Sequence, residues 1–112
     1  MADYKNIYLQ TAKEYLGKLS VSLEQLSIDV SNKNALNNLH IASHSLKSQS
    51  QVMGFADVAD ICLKIEKVSD DALKGNTQLN FEIVSDMKKS TEKLKEILLP
   101  ALGDQDDVGS KI

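Results

Sequence analysis

Ser43–Phe55 reads S-H-S-L-K-S-Q-S-Q-V-M-G-F, and the way these residues divide between two faces decides the fold. A helix turns by about 100° per residue. On that spacing His40, His44, Lys47, Ser48 and Gln51 fall within roughly 60° of one line, with Asn37 behind them. Leu39, Ala42, Leu46 and Met53 fall on the opposite side, joined by Gln49 and Ser50 at its margins. The apolar side fixes the helix in a core and leaves an imidazole outside, beside a lysine one turn away. That suits chemistry with an anion, although two merely solvated histidines would give the same pattern.

Working outward, the same helical steps recur on both sides. Tyr4 to about Ile28 carries Ile7, Tyr8, Ala12, Tyr15, Leu16, Leu19, Leu23 and Leu26, the three- and four-residue intervals of an amphipathic helix. Asp29 to Asn34 is a polar break rich in capping residues. The second helix is expected from near Asn34 to about Val52, where Gly54 breaks it and Phe55 turns back into the core. A third begins near Asp57, whose charge suits a helix N-terminus, and runs to Leu73. Its apolar positions cover more than half the circumference, so neighbours bury it on more than one side. Gly75 is a left-handed stop, and Asn80 can cap a fourth helix striped by Phe81, Ile83, Val84, Met87, Thr91, Leu94, Ile97 and Leu98. Pro100 is expected to end it. The pattern predicts an all-α fold: an antiparallel up-down-up-down four-helix bundle over residues 1–99, with 100–112 as a flexible, acidic tail or the start of a linker.

Composition narrows the function. At 112 residues with 42% apolar content the chain suits one soluble domain. All thirteen basic residues are lysines, and the net charge is −3. No basic cluster tracks a phosphate backbone, so nucleic acid is not an expected partner. Without guanidinium forks, capture of phosphopeptides is disfavoured as well. Cys62 is the single cysteine, and it lies on an apolar stripe with Val58, Ile61 and Ile65, which reads as core. No apolar run approaches the ~20 residues of a membrane span, and no signal sequence is evident, so no membrane association is expected and the cytoplasm is the expected location.

No Gly-rich phosphate loop, nucleophile elbow, C-x-x-C or H-E-x-x-H motif occurs. The chain therefore has no ATP site of its own. His40 and His44 share a face, yet nothing near them completes the three or four ligands of a metal site, so no metal is expected. What remains is His44 as a nucleophile towards phosphorus. It works best with its far nitrogen tied to a carboxylate and a cation near the incoming group. Lys47 can be that cation. Glu66, set among Cys62, Leu63 and Ile65, can be that carboxylate if the third helix returns antiparallel to the second. On spacing alone it is equally a boundary glutamate paired with Lys67 or Lys47.

L-x-x-A-S-H-S-L-K-S-Q-S-Q-V-M-G-F resembles the signature of histidine-containing phosphotransfer (HPt) domains, most closely those at the N-terminus of chemotaxis-type histidine kinases. His44, Leu46, Lys47, Ser50, Gly54 and Phe55 fit in register, and the family's glutamate twenty-two residues after the histidine falls on Glu66. The connection K-G-N-T-Q-L-N is also similar, and the resemblance spans about residues 4 to 98. Ser48 departs from the usual glycine after the lysine. Leu63 stands where chemotaxis-type domains often carry a second histidine.

The resemblance implies a phosphoryl carrier that accepts on His44 Nε2 and delivers to a receiver-domain aspartate. The donor would be a histidine kinase catalytic domain or a phosphorylated receiver, and ATP and Mg²⁺ would be held by partner domains. Glu66 would orient the imidazole and Lys47 neutralise the phosphate, with Ser48, Gln51 and His40 as contact surface and the isolated domain monomeric. The alternative from another class is a helical docking domain that has lost phosphotransfer. The two separate on whether His44 and Glu66 meet.

Overall fold

The computed structural model describes residues 4–110, with side chains described through Pro100. Four helices follow one another: α1 (Tyr4–Ile28), α2 (Lys33–Val52), α3 (Ala56–Leu73) and α4 (Phe81–Ser110). Among the described residues there is no strand. Each helix packs on its neighbours in a ring, α1 on α2, α2 on α3, α3 on α4 and α4 on α1, and among the described residues no Cα atoms of the diagonal pairs lie within 8 Å. Contacts across α2 and α3 pair His44 with Glu66 and His40 with Ser69. One number rises as the other falls, which is the signature of antiparallel helices. The all-α, up-down-up-down bundle is therefore the fold.

The turns follow from local chemistry. Asn32 caps α2 by accepting the Ala35 N–H at 3.0 Å, one residue earlier than the sequence pattern suggests. At the other end of α2, Gly54 takes a positive φ of 81°. This lets Phe55 N–H reach back to the Ser50 carbonyl at 2.8 Å, closing the helix in the left-handed manner that glycine allows. Phe55 then stacks on Tyr8, with ring centroids 4.8 Å apart. Gly75, with φ 79°, ends α3 in the same way, and Asn80 caps α4 through Ile83 N–H at 2.8 Å.

The core is aliphatic, built on leucines from α1, α2 and α4 with Val58, Cys62 and Ile65 from α3. Its polar members are satisfied: Tyr8 and Ser50 share a hydrogen bond of 2.7 Å, and no described buried side-chain polar atom lacks a partner. No helix is long and apolar enough to cross a membrane among the described residues.

Three expectations need correction. The α1 stripe differs at its N-terminal edge: Leu9 is buried and Ile7 is 61% exposed. Leu9, Ala12, Leu16, Leu19, Leu23 and Leu26 follow one another at steps of three and four, whereas Ile7 lies about 200° from Leu9. Phe81, the first residue of α4, is likewise exposed. Pro100 does not end α4, whose backbone stays helical to Ser110. A proline inside a helix removes one hydrogen bond and crowds the carbonyl four residues earlier. Here both Pro100 and Glu96 are exposed, so the displaced carbonyl can tilt towards water.

Burial on α2 sets a direct stability test. Leu46 is fully buried and Ile41 is 53% exposed on the same helix. Leu46→Ala should cost on the order of 2–5 kcal/mol, and Ile41→Ala no more than about 0.5 kcal/mol, measured by urea unfolding. Equal losses would mean that α2 is rotated from the orientation described.

Candidate functional site

The apolar face of α2 (Leu39, Ala42, Leu46) is fully or almost fully buried, and this turns His44 outward over the seam with α3. The antiparallel return of α3 brings Glu66 level with it. His44 Nδ1 and Glu66 Oε2 lie 2.5 Å apart, with the histidine side chain 56% exposed and the glutamate 14% exposed. The other carboxylate oxygen, Oε1, accepts from Lys47 Nζ at 2.6 Å. One acid on α3 thus holds two residues of α2 that are three positions apart, which places them on one face.

Burial pushes the Glu66 carboxyl up, but the hydrogen bonds and charges of Lys47 and His44 outweigh it and hold the group below its usual value. It is a carboxylate near neutral pH and therefore accepts only. The hydrogen on His44 must then sit on Nδ1, which leaves Nε2 with its lone pair on the opposite, solvent-facing side of the ring.

His40 occupies the preceding turn. Its Nδ1 is 3.3 Å from Ser69 Oγ. Ser69 donates to the carbonyls of Ile65 and Glu66, each at 2.9 Å, so its oxygen is left to accept from His40 Nδ1–H. Ser69 is fully buried and had no place in the sequence reading. The signal was available in the antiparallel register, which puts position 69 opposite position 40 once 66 is opposite 44. The groove over this seam is lined by His40, His44, Leu63, Glu66, Lys67 and Asp70.

The other named residues lie apart from it. Ser48 is exposed and borders a different, apolar groove with Tyr4, Ile7 and Val52 on the α1 side of α2. Gln51 is exposed near the end of α2. Lys47, expected from sequence either to neutralise the phosphate or to pair with Glu66, is engaged by Glu66, and its side chain is only 17% exposed. Cys62 is buried, and burial, with the nearby Glu66 charge, pushes its thiol up to about 12. Its thiolate is not accessible near neutral pH, so it is a core side chain and no nucleophile. Among the described residues, no three His, Cys, Asp or Glu side chains gather as a metal-ligand set.

With this geometry in hand, the comparisons are specific. The Hpt domain family matches residues 3–105. Among curated proteins the chain is similar to the chemotaxis protein CheA of Halobacterium salinarum, at 25% identity over 108 residues, covering 95% of this chain and 16% of that protein. It is similar to CheA of Listeria monocytogenes at 26% over 93 residues, covering 83% and 15%. For CheA of Bacillus subtilis the figures are 22% over 98 residues, covering 88% and 15%. The chain thus spans about one sixth of the length of these relatives. No solved structure matches it significantly.

The depressed Glu66 carboxyl has a consequence for acid stability. A group whose folded value lies below its unfolded value, here 4.5, contributes stability above that value and loses it as pH falls through the folded one. In urea unfolding from about pH 6 to about pH 3, the stability of the wild type relative to Glu66→Gln should therefore decline as the solution becomes more acidic. A difference that stays constant across this range would show that folding does not lower the Glu66 carboxyl.

Proposed function

Because this chain belongs to the Hpt domain family, we propose that it is a phosphoryl carrier in two-component signalling, with His44 as the acceptor. The observation that carries this reading is the 2.5 Å contact of His44 Nδ1 with Glu66. A carboxylate on one ring nitrogen keeps the hydrogen there, aims the lone pair of the other outward, and stabilises the positive charge that develops as the ring attacks. A docking bundle without chemistry has no need of that pairing, so the contact favours the carrier over the docking reading.

The step is a displacement at phosphorus. His44 Nε2 donates its lone pair, the Nε2–P bond forms, and the bond from phosphorus to the leaving oxygen of the donor breaks. The hydrogen on Nδ1 stays where it is, so the product pairs a cationic ring with the Glu66 carboxylate. Delivery reverses the roles: the bond to Nε2 breaks as a carboxylate oxygen of a receiver aspartate takes the phosphoryl group, and the ring returns neutral. Phosphoryl transfer passes through a loose transition state that needs mainly positioning and charge stabilisation, which a nucleophile on a packed helix supplies. Lys47 holds the second oxygen of Glu66.

The donor in this reading is a histidine kinase catalytic domain or a phosphorylated receiver, and the acceptor a receiver domain. ATP and Mg²⁺ belong to those partners. Ser48, where the family usually has glycine, and Gln51, both exposed on the same helix, form part of the surface that they cover.

Labelling with [γ-³²P]ATP and a panel of kinase catalytic domains tests the assignment. The product should be acid-labile and base-stable. His44→Gln should abolish it and His40→Gln should leave most of it. Equal labelling of the His44 variant would overturn the assignment.

A further inference from the structure

The groove over the α2–α3 seam has a volume of about 410 Å³, ample for a phosphoryl group. Its charges are mostly committed. Glu66 is held by His44 and Lys47. Asp70 is paired with Lys74 at 2.9 Å. The ring of His40 is tied to Ser69. Lys67 differs. It is exposed, it lines the groove, and among the described residues it has no hydrogen-bond or ion-pair partner.

Lys47 is badly placed to meet the group directly. Its side chain is only 17% exposed and its ammonium is committed to Glu66 at 2.6 Å. To swing onto a phosphoryl group at Nε2 it would leave a largely buried carboxylate short of its partner, which is costly. Lys67 has no such bond to break. It follows Glu66 directly on α3, about 100° further round the helix, so the packing that seats Glu66 against Nδ1 also sets Lys67 on the rim. One turn earlier α3 offers only Leu63, which carries no charge.

Resting on the reading of His44 as acceptor, we propose that Lys67 is the cation that meets the oxygens of the phosphoryl group, as it arrives on Nε2 and while it resides there. Lys47 then acts on the carboxylate and Lys67 on the phosphate, so the two lysines divide the electrostatic work between the two sides of the ring.

Phosphoramidate separates this claim from any question of partners, because it can transfer its phosphoryl group to the ring nitrogen while its protonated amine leaves as ammonia. Formation of phospho-His44 is followed by ³¹P NMR in the intact chain. Lys67→Met should slow labelling by about three- to tenfold, the effect of losing one nearby charge in partly hydrated surroundings. It should also raise the pH at which the bound phosphoryl dianion takes up a proton. Lys67→Arg should restore both, and high salt should narrow the gap. Lys89→Met is the control, exposed on α4, a helix that lines no part of the groove, and should behave as wild type. If Lys67→Met labels and titrates like wild type, the proposal is overturned while the acceptor assignment stands. If His44→Gln labels as well as wild type, the acceptor assignment fails and takes this proposal with it.

Discussion

The Glu66 carboxylate accepts from His44 Nδ1 at 2.5 Å and from Lys47 Nζ at 2.6 Å, and these two bonds constrain the rest of the site. Both donors are on α2 and the acceptor is on α3, so the relative rotation and height of the two helices must be right at once. A step of one residue on either helix turns a side chain by about 100° and would break the arrangement. What holds the helices in this phase is the apolar side beneath, where Leu39, Ala42 and Leu46 join Val58, Cys62 and Ile65 in one core. Hydrophobic packing sets the register, and the polar bridge reports it on the surface.

Exposure is graded across the same few ångström. The His44 side chain is 56% exposed, that of Glu66 14% and that of Lys47 17%. A carboxylate this far out of water binds a cation more strongly than one on the open surface. Its two partners outweigh the cost of burial, which is why the group stays ionised. The imidazole, by contrast, keeps one edge in solvent, where a partner domain can approach it. For the acceptor role proposed for His44, the ring has to be exposed to its partners and held from behind to keep a single tautomer. Placing the ring at a helix seam meets both demands.

Much of this was legible in the sequence because it depends on periodicity and local stereochemistry. Gly54 and Gly75 stop helices and Asn80 starts one for reasons internal to a few residues. The facing of His44 away from Leu46 follows from helix geometry alone. The contact with Glu66 needed one further assumption, that α3 returns antiparallel, which a connection of three residues between Val52 and Ala56 enforces. The rest is tertiary. Whether Ile7 or Leu9 points inward depends on where α1 meets its neighbours, and an apolar residue at either edge of a stripe fits the pattern. A lysine side chain reaches several acids, and only packed coordinates choose Glu66 for Lys47. Proline reads as a stop because the cost is local, whereas its tolerance in α4 depends on the carbonyl it displaces facing water.

Every side chain of the site, from His40 to Ser69, belongs to the α2–α3 pair joined by that short connection. Closing so short a loop costs little chain entropy, and contacts between such near neighbours form early and locally in helical proteins. The site is in this sense a property of a hairpin. The helices on either side, α1 and α4, reach it only through the aliphatic core, where volume and shape matter more than identity. Their outer surfaces are therefore free to diverge, to carry other contacts or to be redesigned, without altering the geometry around His44.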